Sequence, residues 1–526
     1  MRIIFFSLFV FCFQIGFGQS NIDVLHYKFN IGVNDVNDTI HAVAEITVRI
    51  LEREKSVKFD LASINSSGKG MRIDLPNKDR GVSHENNKLS LFVGSNNNSG
   101  DTVTFIIPYS GIPADGLIIS KTKYGRRGFF ADNWPDRGHN WIPCHDDPAD
   151  KATVEFIVTA PEHYQVVANG IQIEETSLGN GFKTTHWKED TPISTKVMVI
   201  GVADFAVNLS GTVNGCIPVY SWVYPEDRTI GFNDYSQAKE ILEYYIGHIG
   251  SYGYKKLANV QSKTRFGGLE NANTIFYAEN SVTGTKKSEG LLAHEIAHQW
   301  FGNMATEKSF GHLWLSEGFA TYFTILYFEN KYGRDTAIKM IAEDRAQVIE
   351  FSKRNTRAVV NTEETDYMNL LNANSYQKGG WVLHMLRSEL GDSIFWKSIR
   401  KYYATYSGGV ADTRDLQKVF EGVSGKDLKQ FFDQWLYSPG QPELDIKWSY
   451  NDQSKEITIN VEQKQSGNFM FPLKIGVKYP SGKKITQQFY MDKKTKSFTV
   501  KVPEKPTLLI ADPNVEFLAN YSVKEK

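Results

Sequence analysis

The chain has 526 residues, of which 41% are hydrophobic, 23% charged and 13% aromatic. That length exceeds one hydrophobic core and implies several domains, and the composition excludes a fibre, a coiled coil or a disordered polymer. With 59 Lys and Arg against 60 Asp and Glu, the formal net charge is -1. No basic excess faces a phosphate backbone, so no nucleic-acid partner is expected.

Residues 1–18 read as an export signal. Arg2 gives a positive start, Ile3 to Phe13 is apolar except for Ser7, and Gly16-Phe17-Gly18 supplies small residues for cleavage. A membrane anchor is the alternative, but the run is short for a bilayer and no later segment approaches twenty apolar residues. The mature protein is expected to start near Gln19 and to be exported, periplasmic or extracellular, with no stable membrane insertion. Only Cys144 and Cys216 survive cleavage, so at most one disulfide is possible. Asn37, Asn65, Asn97, Asn208 and Asn520 stand in Asn-x-Ser/Thr triplets, which matter only in a glycosylating host.

Residues 19–205 are expected to form an antiparallel β domain. Ala42, Ala44, Ile46, Val48 and Ile50 alternate with His41, Glu45, Thr47 and Arg49, the period of a half-buried strand. Similar runs recur at 102–109, 153–160 and 195–202, separated by turn clusters. Residues 206–438 change to a helical period: Ala238, Ile241, Leu242, Tyr245 and Ile246 mark one face, with Asn233 or Asp234 as the expected cap. Further helices are predicted over 285–302, 316–332, 334–352, 375–390, 393–405 and 425–437. Ser438-Pro439-Gly440-Gln441-Pro442 is a strong stop. Over 439–526 alternation returns at Ile457, Ile459 and Val461 and at Phe498, Val500 and Val502, enough for a small β-sandwich. The fold class is thus multidomain α+β.

The chemistry concentrates in one helical stretch. His294-Glu295-Ile296-Ala297-His298 places two imidazoles four residues apart, on one face of a helix. Both can reach one zinc ion, with Glu295 beside the metal as a general base for water. Glu317, opening the next apolar helix, supplies a third ligand. Two His and one Glu leave a fourth position open, the mark of a catalytic rather than a structural zinc.

His294-Glu295-x-x-His298 followed by Glu317 resembles the gluzincin metallopeptidases. Gln299-Trp300-Phe301-Gly302-Asn303 and Leu313-Trp314-Leu315-x-Glu317-Gly318-Phe319-Ala320 are similar to the aminopeptidase N branch, which also includes leukotriene hydrolase. The resemblance covers the whole mature chain. It implies a β domain, a thermolysin-like catalytic domain and a β-sandwich, without the large C-terminal helical domain of many members. It further implies one zinc ion, peptide substrates with free N-termini, and removal of N-terminal residues. In that family a Gly-x-Met-Glu-Asn segment binds substrate backbone and holds its α-amine. Gly267, Gly268, Leu269, Glu270 and Asn271 match it, with Leu269 in place of Met and Glu270 as the amine ligand. Tyr376, in Ser375-Tyr376-Gln377-Lys378-Gly379, matches the tyrosine that stabilises the oxyanion.

Two positions depart from the pattern. Where members often carry a Gln or Glu that helps hold the amine, this chain has Asp132, Asn133 and Trp134; Asp132 is the acidic candidate, without a one-to-one transfer. Before Leu313 the usual acidic residue is His312, read as a loop histidine because another protein ligand would close the open position. Three rival readings are a thermolysin-type endopeptidase, an epoxide hydrolase and a non-catalytic peptide-binding module.

Overall fold

The structure, a computed structural model, describes residues 21–53, 55–75, 81–94 and 97–526; the export signal over 1–18 lies outside the described residues. Alternation builds the first layer. Ile40–Ile50 buries Ile40, Ala42, Ala44, Ile46, Val48 and Ile50 and turns its polar residues outward. It lies in a seven-stranded sheet ordered Ile171–Ser177, Phe182–Ser194, Lys151–Pro161, Ile22–Gly32, Ile40–Ile50, Thr102–Ile112, Gly70–Ile73. One pair departs from the antiparallel expectation: Ile22–Gly32 runs parallel to Lys151–Pro161, His26 opposite Thr153. A period of two reports faces, not strand direction, so the sequence carried no sign of it. A four-stranded sheet (Gln165–Ala168, Ile200–Ala203, Arg127–Ala131, Leu117–Lys121) packs beside it.

The central region is less purely helical than its sequence period implied. It opens with a five-stranded sheet, in the order Ala206–Val213, Ile217–Val223, Leu257–Ser262, Thr274–Ala278, Gly268–Leu269. Leu257–Ser262 is buried at every position, so it shows no alternation to read. The helices are α1 (Arg228–Tyr235), α2 (Gln237–His248), α3 (Glu289–Ala297), α4 (Trp314–Tyr332), α5 (Arg334–Ser352), α6 (Gly379–Leu390), α7 (Asp392–Tyr406), α8 (Thr413–Ser424) and α9 (Lys429–Leu436). Asn233 and Asp234 lie inside α1 rather than capping α2. The Asp234 carboxylate instead accepts the backbone N–H groups of Thr283 (2.6 Å), Gly284 (2.7 Å) and Lys286 (2.9 Å), pinning the chain that leads into α3. The unforeseen α8 has a capping box made by Asp412 and Asp415.

The last stretch forms a four-stranded sheet (Thr495–Lys501, Glu456–Gln463, Glu443–Asn451, Asn520–Glu525) and a three-stranded one (Lys484–Met491, Phe471–Lys478, Leu508–Ala511). They dock on the helices through Arg345 Nη1, which donates to Asp512 Oδ2 (3.0 Å), and His384 Nε2, which donates to the Val515 carbonyl (2.8 Å).

Charged groups fasten the other seam. Lys196 and Glu307, both fully buried, form an ion pair between the β domain and the central region. Removing either partner strands a charge, at about 3–5 kcal/mol. Lys151 donates to the carbonyls of Asn303 (2.9 Å), Met304 (2.8 Å) and Gly409 (3.0 Å). Cys144 is buried and Cys216 exposed, and both are free thiols, so among the described residues there is no disulfide. Among the described residues no helix is long and apolar enough to cross a membrane.

Candidate active site

Helix α3 buries Leu292, Ala293, Ile296 and Ala297 and ends at His298, which leaves His294 and His298 one turn apart on the opposite side. Helix α4 is apolar around most of its length and sits deep in the core, with Glu317 in its first turn. An acidic residue is favoured there by the helix dipole. Two glycines set the approach. A Cβ on Gly302, at φ +113°, would stand 2.2 Å from Ser316 Oγ, and one on Gly318 would stand 2.8 Å from Gly379 Cα. Backbone freedom and absent methyl groups therefore bring α3, α4 and α6 together.

The result is a converging triad. Glu317 Oε2 lies 3.2 Å from His294 Nε2 and 3.3 Å from His298 Nε2, and the two imidazole nitrogens are 3.1 Å apart. Three donors bound to one zinc ion at about 2.0–2.1 Å with tetrahedral angles stand about 3.3 Å apart, so the spacing fits the ion. The electrostatics agree. Burial disfavours charge on His298, yet the Glu317 carboxylate outweighs it and pushes the imidazole up to about 10. Burial likewise opposes ionisation of Glu317, but His298 and His294 hold it well below the usual carboxylate range. Burial, by contrast, holds His294 below its ordinary pKa. Ser316 Oγ sits 2.9 Å from His298 Nδ1, fixing the ring by its other nitrogen.

Glu295 lies beside the triad. Burial raises its pKa, His298 opposes, and the carboxylates of Glu270 and Glu317 add to the rise. A Cβ on Gly268 would stand 2.2 Å from Glu295 Oε1. Gly268 is therefore needed to seat that carboxylate, a reason distinct from the close substrate approach expected of the glycine pair.

The Gly267–Asn271 segment faces the triad across a cavity of about 280 Å³. Gly267, Gly268, Leu269 and Glu270 line it with His294, Glu295, His298, Glu317 and Tyr376, whereas Asn271 does not. Glu270 is buried, and its Oε1 has no hydrogen-bond partner. Its backbone carbonyl accepts from Gln299 Nε2 (3.1 Å) and Asn303 Nδ2 (2.7 Å). Two residues that follow α3 thus tie the Gly267–Asn271 segment to it. Their type stood in the Gln299–Asn303 run, but neither spacing nor period revealed the function.

Tyr376 sits in a π-helical turn, Asn374–Lys378, that enters α6. Its ring stacks on His294 at 6.0 Å between centroids and 12° between planes. Burial first, then Glu317 and Glu270, raise the phenol well above its ordinary pKa, so it remains a hydrogen-bond donor.

The departures resolve differently. Asp132 is fully buried and does not line the cavity. Its oxygens accept from Arg137 Nη2, Thr264 Oγ1 (3.2 Å) and the Arg265 N–H (3.0 Å). Asn133 Nδ2 donates to the carbonyls of Thr195 (3.0 Å) and Met198 (2.9 Å). Trp134 alone of the three reaches the cavity. His312 Nδ1 contacts Thr413 Oγ1 at 2.9 Å and takes no part in the triad.

Comparison with known proteins follows the same division. Residues 24–197 match the Peptidase M1 N-terminal domain, and residues 234–435 match the Peptidase family M1 domain. The chain is 26% identical over 406 residues to glutamyl aminopeptidase of Bitis rhinoceros, covering 73% of this chain and 42% of that protein. It is 28% identical over 367 residues to aminopeptidase M1-C of Oryza sativa subsp. japonica, covering 64% and 40%. This chain therefore spans less than half the length of either relative. The crystal structure of Legionella pneumophila aminopeptidase A in complex with aspartic acid shares the fold, with a TM-score of 0.82 at 18% identity over 96% of this chain and 60% of that one. The matched stretches take in the triad, Glu270, Glu295 and Tyr376, and the chain belongs to peptidase family M1.

Proposed function

We propose that this protein is an exported, zinc-dependent aminopeptidase that hydrolyses the first peptide bond of chains with free N-termini. One observation carries the reading: the buried carboxylate of Glu270, with an unpartnered oxygen, lines the same small cavity as the triad. A buried acceptor without a partner is costly unless a ligand supplies the donor, and an α-ammonium does so with charge assistance. An endopeptidase has no use for such a group.

His294, His298 and Glu317 would hold the ion, and a zinc ion bound there supplies Lewis acidity towards water and the scissile carbonyl. The remaining chemistry belongs to the chain. Glu270 binds the α-ammonium and so sets the first carbonyl at a fixed distance from the triad. Glu295, whose carboxylate is made more basic by burial, takes the proton of the attacking water and delivers it to the leaving nitrogen. Tyr376 donates its O–H to the carbonyl oxygen as that oxygen gains charge, a contribution of about 3–4 kcal/mol for a preorganised donor. Gly267 and Gly268 leave the strand edge open to the substrate backbone. Export is supported by Arg2 and the apolar run that follows it.

The test is hydrolysis of aminoacyl fluorogenic amides beside N-acetylated copies, with and without chelator. Free-amine substrates are expected to be cleaved at least about 100-fold better than blocked ones, because the blocked amine leaves Glu270 unpaired. Chelation should abolish activity and zinc restore it. Equal cleavage of both sets would identify an endopeptidase instead.

A further inference from the structure

Once the triad, Glu295, Glu270 and Tyr376 are assigned, the rest of the cavity lining is Trp134, Phe266, Leu269, Leu291 and Leu371 beside the two glycines, apolar except for the Trp134 indole N–H, a neutral donor without a partner. Among the described residues no Lys or Arg lines it. The cations nearby in sequence are committed elsewhere. Arg137 Nε donates to the Trp134 carbonyl (2.7 Å), its Nη2 pairs with Asp132, and its guanidinium lies 5.7 Å from the Phe266 ring centroid. Arg265 Nη2 pairs with Asp115 at 2.5 Å.

Charge counting then decides what the first side chain can be. The cavity holds three carboxylates, Glu270, Glu295 and Glu317. A divalent ion and the substrate α-ammonium balance them, leaving no opposite charge for a side chain of either sign. A carboxylate side chain would meet like charges in a water-poor site, and burying an unpaired charge is strongly unfavourable. An apolar side chain meets a fixed aromatic wall. Trp134, only 2% exposed, packs edge-to-face on Phe266 (5.8 Å, 88°) and on Phe310 (6.1 Å, 78°), and Phe310 packs in turn on Tyr367 (4.4 Å).

We propose that Trp134, with Phe266 and Leu371, is the specificity determinant of the site and selects peptides whose first residue is a large apolar one, excluding Asp and Glu. The inference rests on the aminopeptidase reading. Where the sequence departs from its family at Asp132–Trp134, the polar function is thus exchanged for an apolar one: Asp132 is spent on Arg137, the Thr264 hydroxyl and the Arg265 N–H, and Trp134 becomes the wall.

The experiment ranks leucine, methionine, phenylalanine, alanine, lysine, glutamate and aspartate amides by kcat/KM, and measures binding of free leucine and glutamate by calorimetry. Leucine, methionine and phenylalanine amides should exceed the glutamate and aspartate amides at least about 100-fold, and free leucine should bind where glutamate does not. Trp134→Ala should lower kcat/KM for leucine and phenylalanine amides at least about tenfold more than for the alanine amide, and Trp134→Phe should preserve the wild-type order. Glutamate, aspartate or lysine amides within tenfold of leucine would overturn the proposal, as would equal losses on all substrates in Trp134→Ala. If Trp134→Ala fails to fold, Trp134→Phe and the wild-type ranking still decide. Failure of the aminopeptidase reading looks different: no free-amine substrate is favoured over its acetylated copy. The calorimetric preference then tests the apolar pocket by itself.

Discussion

The two walls of the cavity are built on opposite plans. The triad wall is carried by α3 and α4, whose apolar faces are buried; Gly302 lets the chain after α3 approach Ser316 of α4, and Gly318 lets α4 approach α6. The facing wall is the two-residue strand Gly268–Leu269 and its continuation, held at the Glu270 carbonyl by the amides of Gln299 and Asn303. One wall is fixed by helix packing; the other is a sheet edge, paired with Thr274–Ala278 and suspended from the first wall by those two amides. Close packing tolerates no shift without strain, whereas a neutral hydrogen bond is worth about 0.5–1.5 kcal/mol. On the proposed function, chemistry sits on the helical wall and substrate capture on the suspended one.

That contrast can be broken at its contact point. Gly268→Ala drives a methyl group into Glu295 and should cut kcat by about 100-fold, since a displacement of about 1 Å costs that much, while bound metal per chain stays unchanged. Steady-state kinetics beside metal analysis checks it; loss of metal would mean that the walls are not separable. A smaller effect sharpens the division. Asn303→Ala removes one of the two amides at the Glu270 carbonyl and should raise KM by about fivefold to tenfold, with kcat changed less, about 1 kcal/mol of binding. An equal fall in kcat would show the suspended wall taking part in the chemical step.

The smallest effect concerns the segment behind Trp134. Burial disfavours charge on His139 and His145, but Asp146 (3.0 Å) and Asp150 (2.6 Å) outweigh it and raise both pKa values. Raised folded values mean that the stabilisation is full below the unfolded value of about 6.5 and is lost as pH rises through the folded values. The melting-temperature gap between wild type and a His139→Gln, His145→Gln double variant should be larger at pH 5.5 than at pH 8, for a total of about 1 kcal/mol. A gap that grows with pH would refute the sign. Activity at the two walls should not follow it.

What was legible in the sequence follows the same physics. His294 and His298 were readable because a helix converts a spacing of four into a shared face, and Glu317 because an apolar helix opens around it. Gly267–Asn271 and Tyr376 were readable only through resemblance, since a short strand edge and a π turn have no period. Ser316, Gln299 and Asn303 act through backbone or ring atoms of other residues, which no pattern of residue types records. The same holds for Asp132: its identity suggested an amine ligand, but burial beside Arg137 consumed its acceptors. The parallel strand pair and the strand Leu257–Ser262 escaped for the reasons already given, the first because direction leaves no trace in alternation, the second because full burial erases it.

Lys151 makes these walls the property of more than one domain. From the N-terminal sheet its ammonium gathers the carbonyls of Asn303, Met304 and Gly409, and the side chain of that same Asn303 supports Glu270. The catalytic region is consequently not a portable cassette. Grafted onto a foreign N-terminal domain without a lysine at this place, it would lose the charged one of two donors at each of three carbonyls, which would keep only Thr306 and Gly408 as partners, and with it one tie on the register of its substrate wall. Recombination between relatives should therefore succeed only where the crossover keeps Lys151 together with residues 303–304 and 409.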